Sequence, residues 1–159
     1  MQLTSGTTIF AVFSIASMAS FPGVISKSAG GTATTVTWDV AYYLGNEYLA
    51  ISNGTALNNT SSLTVASTNT RYVRAVSWGI SGGTINNWRN GARTINQAQT
   101  VTTRSDTTAP VQIGRCFGGL YLTGMIQEII IYSRVLSDTD RQRIERHLCA
   151  KWRVPYQGA

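Results

Sequence analysis

The chain has 159 residues, 43% of them hydrophobic and 13% charged, with 13 Lys/Arg against 7 Asp/Glu for a formal net charge of +6. That length fits a single domain spanning 1–159 and lets roughly 70% of the unfolded surface be buried without staples. No apolar run reaches the roughly 18 residues of a membrane helix. No recognised nucleic-acid motif accompanies the positive charge, so neither a membrane nor a nucleic acid is an expected partner.

The N-terminal stretch "TIFAVFSIASMAS" could pass for a secretory signal core, but Met1–Ser26 holds no Lys or Arg for the positive leading region. Ile9, Ala11, Phe13 and Ile15 alternate with Phe10, Val12 and Ser14, which predicts a buried strand over 8–16. A short apolar piece follows at 23–27. In "TTVTWDVAYYLG", Val36, Trp38, Val40 and Tyr42 share a face at period two, and Gly45-Asn46 predicts a tight hairpin into "EYLAIS". Residues 53–70 are polar, with a short apolar centre at Leu63 and Val65, and read as a solvated loop.

"RYVRAVSWG" is the next strand, with Tyr72, Arg74, Val76 and Trp78 opposed to Val73 and Ala75. "TINNWRNGARTI" reads as a hairpin closed by Asn90-Gly91, the strongest short turn signal in the chain. "PVQIGRC" and "GMIQEIIIYSRVL" supply the last strands, and three consecutive isoleucines predict burial on both faces of the latter.

At Ser137 the period changes to that of a helix, predicted over 137–152. Ser137 is the N-cap, with Asp140 three residues on. Ile144, Leu148 and Trp152 form one narrow apolar stripe at i, i+4 and i+8, and Pro155 marks the stop. Nine of the twenty charged residues lie between Arg134 and Arg153. A lone helix lying on a sheet buries one seam and keeps charge on its other faces. About ten strands with one terminal helix predict an all-β, two-sheet antiparallel sandwich.

Reactive residues are sparse. Catalysis by paired carboxylates would need two acids at fixed separation across a scissile bond, and no predicted strand carries such a pair. His147 is the single histidine. Cys149 stands two residues away, on a different helix face, and no G-x-S-x-G elbow is present. Cys116 and Cys149 lack metal-ligand spacing and read as reduced, buried thiols. Glycine-rich "SAGGT", "ISGGT" and "CFGGL" lack the phosphate-loop pattern and are turns. No catalytic residue and no cofactor are assigned. Aromatic and amide groups offer the route to a ligand, and the binding candidates are Trp88, Arg89, Asn86, Asn87 and Trp78, centred on the hairpin segment "NNWRNG".

From Ile113 to Val154 the sequence resembles the concanavalin A-like, laminin-G-like jelly-roll superfamily. The resemblance is carried by Ile113-Gly114, by Gly124, Ile126, Glu128 and Tyr132, by Leu136-Ser137, and by Leu148, Lys151 and Trp152. It implies a jelly roll, a structural Glu128 paired with an arginine or backbone donors, and calcium as the one inorganic candidate, with Asp39, Glu47 and Asp106 as the available acids. Relatives of this kind carry one or two strands ahead of the segment matching "SGTTIFAVF", so either the sandwich is trimmed or an open edge is completed by a neighbouring chain. A partner is predicted, because a bare edge is an aggregation hazard. Laminin-G-like modules occur on phage heads, tails and fibres. The implied role is therefore a non-enzymatic structural, decoration or adhesion protein of a phage virion. It would assemble in the host cytoplasm through contacts with its own copies and other virion proteins, with glycans as a further partner. The alternative is a carbohydrate-binding module of a larger extracellular or cell-surface protein.

Overall fold

The computed structural model describes residues 6–19, 21–79, 83–101, 107–117 and 119–158, with backbone only at 63–65. In chain order the strands are β1 (Thr7–Ile15), β2 (Gly23–Ser28), β3 (Val36–Tyr43), β4 (Asn46–Ser52), β5 (Leu57–Val65) and β6 (Arg71–Trp78). There follow β7 (Thr84–Arg89), β8 (Ala92–Ala98), β9 (Gln112–Ile113), β10 (Arg115–Cys116), β11 (Leu120–Tyr121) and β12 (Gly124–Tyr132), then the helix α1 (Asp138–Trp152). One five-stranded sheet runs β12-β1-β6-β7-β8 and the other β5-β4-β3-β2-β9, with a small β10-β11 hairpin beside the second. Every pairing is antiparallel. This is the predicted jelly-roll sandwich with its terminal helix.

Period two explains the layers. Ile9, Ala11, Phe13 and Ile15 of β1 face the second sheet, where they meet Trp38, Val40 and Tyr42 of β3 and Leu49 and Ile51 of β4. Phe10 and Val12 point the other way, with Val73, Ala75 and Trp88, onto Leu148, Cys149 and Val154. The central strands of the first sheet are thus buried on both faces. Each large side chain so covered contributes roughly 1.5–3 kcal/mol.

The helix that covers this outer layer starts where Ser137 Oγ accepts from the Asp140 N–H at 3.2 Å. It ends at Arg153, in the left-handed region at φ 56°, whose N–H turns back to Ala150 and Cys149. Glu128 accepts from Trp152 Nε1 at 2.7 Å and from Lys151 Nζ at 2.9 Å, so an indole and a lysine hold it where an arginine or backbone donors were expected. These bonds, Trp152 first, hold its carboxyl below the usual carboxylate range.

Three local expectations are corrected. The polar segment 53–70 is not a loop: it contains β5, an edge strand whose Asn58, Thr60 and Ser62 face inward. Polar residues fit there because Asn58 Oδ1 accepts from Thr100 N at 2.7 Å and Ser62 Oγ from Glu47 N at 3.1 Å. The β3–β4 turn is Leu44-Gly45 (φ 49° and 81°), one residue earlier than Gly45-Asn46. "PVQIGRC" yields only the two-residue β9 and β10, because Gly114 (φ 72°) interrupts the extended run. In the first sheet β1 pairs with both β6 and β12, and β12 is an edge strand. Its isoleucines are accordingly half-buried, Ile129 and Ile131 toward the inter-sheet core and Ile130 toward α1.

Polar groups also tie the two sheets together. Arg74, fully buried on β6, donates from Nε to Asn87 Oδ1 at 2.6 Å, and from Nη1 and Nη2 to the Ala41 and Tyr48 carbonyls at 2.8 and 3.0 Å. Asn87 Nδ2 donates in turn to Glu47 Oε2 at 2.8 Å. Arg89 Nε lies 4.0 Å from the other Glu47 oxygen. Asn87 therefore bridges a buried cation on one sheet and a buried anion on the other. Replacing it with alanine leaves both charges a partner short. Asn87→Ala should lower unfolding stability by about 3 kcal/mol, read as a fall in urea midpoint at constant slope; a loss under about 1 kcal/mol would show that the bridge does not hold the sheets.

On the outer side of the second sheet the β10–β11 hairpin presses close. A Cβ on Gly23 would lie 2.3 Å from Cys116 N, which is why glycine stands there. Asp39 is fully buried nearby and accepts from Ser28 Oγ at 2.8 Å. Burial raises its carboxyl from 3.8 to about 6, against the opposing pull of the Ser28 hydroxyl, the Phe117 backbone and the Ser26 hydroxyl. The folded state therefore binds this proton more tightly than the unfolded state, and stability falls as pH rises from about 4 through 6. The gap corresponds to roughly 3 kcal/mol at most. Asp39→Asn should match the parent near pH 4 and exceed it by up to about that amount near pH 8. Parallel stability–pH curves for the two proteins would refute the assignment.

Candidate functional site

Among the described residues, two concavities differ in character. The first, of about 300 Å³, opens on the outer face of the first sheet beside the start of α1. Its floor is Ser77 of β6 with Thr84, Asn86 and Trp88 of β7, and its rim is Arg93 and Asn96 of β8. Val135, Leu136 and Asp138 close it from the helix side. Thr84, Asn86 and Trp88 share this face by simple alternation. Arg93 and Asn96 do so because β8 carries a register shift against Asn87 and Trp88, so that Trp88 opposes Arg93 while Asn86 opposes Asn96. Without that bulge, residues three apart would point to opposite faces.

The indole of Trp88 is 4% exposed and has two guanidiniums over it, Arg93 at 5.4 Å and Arg141 at 4.0 Å from the ring centre. It is a pocket floor, not an open stacking platform. Arg141 also holds Asp138 Oδ1, at 3.3 Å from Nε and 3.2 Å from Nη2, and pairs with the buried Glu145. Burial pushes Glu145 up to about 7 despite Arg141. Asn86 Nδ2 donates to Thr84 Oγ1 at 2.9 Å, which orients its amide oxygen and second N–H for other partners.

The second concavity, about 240 Å³, lies at one end of the second sheet. It is lined by Met18, Ala19, Phe21, Tyr43, Leu44 and Leu120. Phe21 stacks on Tyr43 at 4.4 Å and meets Tyr48 and Phe117 edge-on. Among the described residues no charged or amide side chain lines it, and the Tyr43 hydroxyl is its one side-chain hydroxyl, so it matches the hydroxyls of a polar ligand poorly.

The predicted binding residues divide between the faces of β6 and β7. Trp88 and Asn86 line the polar pocket. Asn87 is fully buried in the inter-sheet bridge, Arg89 reaches inward toward Glu47 and lies over the Tyr72 ring at 5.3 Å, and Trp78 is fully buried with Trp38 at 6.0 Å. Strand alternation separates what the contiguous sequence "NNWRN" had grouped. The sequence reading missed Thr84, Ser77, Arg93, Asn96 and Asp138. Thr84 could have been found by stepping two at a time from Trp88, whereas the bulge and the helix start have no short-range signal.

Of the acids considered for calcium, Asp39 lies buried on the outer side of the second sheet and Glu47 is bonded within the inter-sheet bridge; Asp106 lies outside the described residues. Asp39 and Glu47 thus form no shared oxygen cage, and the described residues hold no group of three His, Cys, Asp or Glu fit for a metal. Burial raises the thiols of Cys116 and Cys149 to about 12 and about 11, so both stay protonated near neutrality.

No protein-family model matches the chain, and no curated protein does. Solved structures do. The chain is similar to the Ruminococcus gnavus IT-sialidase CBM40 bound to α2,3-sialyllactose, at 16% identity and TM-score 0.74, covering 89% of this chain and 83% of that one. It is similar to a heptameric SAP-like pentraxin from Limulus polyphemus, at 11% identity and TM-score 0.64, covering 89% and 72%. It also resembles the receptor-binding domain of botulinum neurotoxin D, at 14% identity and TM-score 0.66, where 91% of this chain spans 37% of the other. At these identities the fold is what is shared. By architecture the chain is a jelly-roll β-sandwich.

Proposed function

We propose that the domain is a non-catalytic carbohydrate-binding module and that the polar pocket beside α1 holds the sugar. The observation that carries this reading is the convergence of the Asn86 and Asn96 amides with the Thr84 and Ser77 hydroxyls and the Arg93 guanidinium around about 300 Å³. Sugar hydroxyls are each both donor and acceptor, and fixed side-chain amides and hydroxyls match them in both senses. The fold-level likeness to a CBM40 solved with sialyllactose supports the same class. A virion role rests on the sequence resemblance alone, and none of the solved structures named above is a virion protein. Because cations cover Trp88, affinity comes from hydrogen bonds to the amides more than from ring stacking.

The test is a glycan array on the intact chain, followed by calorimetry on any hit. Each amide lost removes about 1 kcal/mol, so the Asn86→Ala, Asn96→Ala double variant should bind about tenfold or more weakly while melting at the parent temperature. Undiminished binding by the double variant would move the site elsewhere. An array with no hit would remove the function.

A further inference from the structure

We infer that the ligand of this pocket is an acidic oligosaccharide, seated by Arg93 and drawn along α1 by arginines that no carboxylate neutralises. The inference rests on the carbohydrate-binding reading and names its ligand class.

Charge pairing on the α1 side of the first sheet leaves a clear excess. Its four acids are all engaged: Glu128 with Lys151 at 2.9 Å, Asp138 with Arg141 at 3.2 Å, Asp140 with Arg143 at 3.7 Å, and Glu145 with Arg141. Arg71, Arg93, Arg134 and Arg153 have no carboxylate within 4 Å among the described residues. All four are exposed. The other described cations away from the helix differ, since Arg74 and Lys27 are buried, Arg89 is half-buried beside Glu47, and Arg115 is half-buried over the Tyr121 ring on the β10–β11 hairpin; Arg104 lies outside the described residues. Among the described residues, exposed positive charge is therefore concentrated around the helix.

The placement of these arginines gives the ligand its length. Arg93 lines the pocket, and Arg134 directly precedes its Val135–Leu136 wall. At the other end Arg153 caps α1, and Arg71 donates to the Trp152 carbonyl at 2.8 Å. A fifteen-residue helix separates the two pairs by about 20 Å, more than one sugar ring can span. An anionic group in the pocket and others further along the chain would satisfy both ends.

A single-stranded nucleic acid would use the same charge but also needs bare aromatic faces for its bases. Here the rings are occupied: Arg93 and Arg141 lie over Trp88, and Arg71 and Lys151 over Trp152. The more exposed Tyr43 and Tyr121 belong to β3 of the second sheet and to the hairpin beside it.

Calorimetry on the intact chain decides the matter with lactose and 3′-sulfolactose as a matched pair, an oligogalacturonate hexamer, and a short single-stranded DNA. Sulfolactose should bind at least about tenfold tighter than lactose. The preference should vanish in Arg93→Gln and fade as salt rises from about 50 to 500 mM. The hexamer should bind tighter still, with that increment lost in the Arg71→Gln, Arg153→Gln double variant, and circular dichroism melting checks that every variant stays folded. Equal affinity for lactose and sulfolactose would overturn the anionic assignment and leave the carbohydrate-binding reading standing. DNA bound as tightly as the hexamer would overturn the ligand class. If none of the three sugars binds, this inference falls, and the carbohydrate-binding reading stands or falls by the glycan array.

Discussion

Burying a sheet on both faces demands a second cover, and that constraint organises this molecule. β1 and β6 present large apolar side chains upward and downward, and the opposing sheet can cover only one side. The helix α1 supplies the other cover with Leu148 and Cys149, assisted by the half-buried Ile144 and Trp152. Its charged residues follow from the same constraint, since a helix with one apolar seam must be soluble elsewhere. The anchoring of Glu128 by Trp152 and Lys151 fixes the last turn to the edge strand β12. That in turn sets where the first turn, with Asp138, meets the sheet.

Polar groups inside the sandwich do a different task. Arg74, Asn87 and Glu47 join strands of opposite sheets through directional bonds that an apolar core lacks. A buried ion pair is weak evidence for stability, because desolvation offsets attraction. Its consequence here is registry: the Arg74 fork reaches main-chain carbonyls of both β3 and β4 at once, so the sheets cannot slide past one another without breaking it. The pocket floor on β6 and β7 inherits that rigidity.

The pocket itself arises where regularity is interrupted. The bulge between β7 and β8 places Arg93 and Asn96 on one face, and the arrival of α1 adds Asp138 and an apolar wall. A binding surface held on strands and a capped helix start is preorganised, which lowers the ordering cost of taking up a flexible polar ligand. The second concavity, apolar and built from loop residues and the ends of β3 and β11 around Phe21 and Tyr43, has no such polar complement among the described residues.

The sequence by itself determined the sandwich, the β1 strand, the Asn90-Gly91 hairpin and the helix from Asp138 to Trp152, because alternation, turn chemistry and capping act over a few residues. It also brought Trp88 and Asn86 to notice. Only the tertiary structure decided that Asn87, Arg89 and Trp78 face inward while Arg93 and Asn96 join Trp88. It alone made polar 57–65 an edge strand and set β12 at the edge of the first sheet, beside β1. Those outcomes depend on which strand lies beside which and on where one extra residue is absorbed. Both are set by contacts between residues tens of positions apart, and no local pattern of side chains carries them.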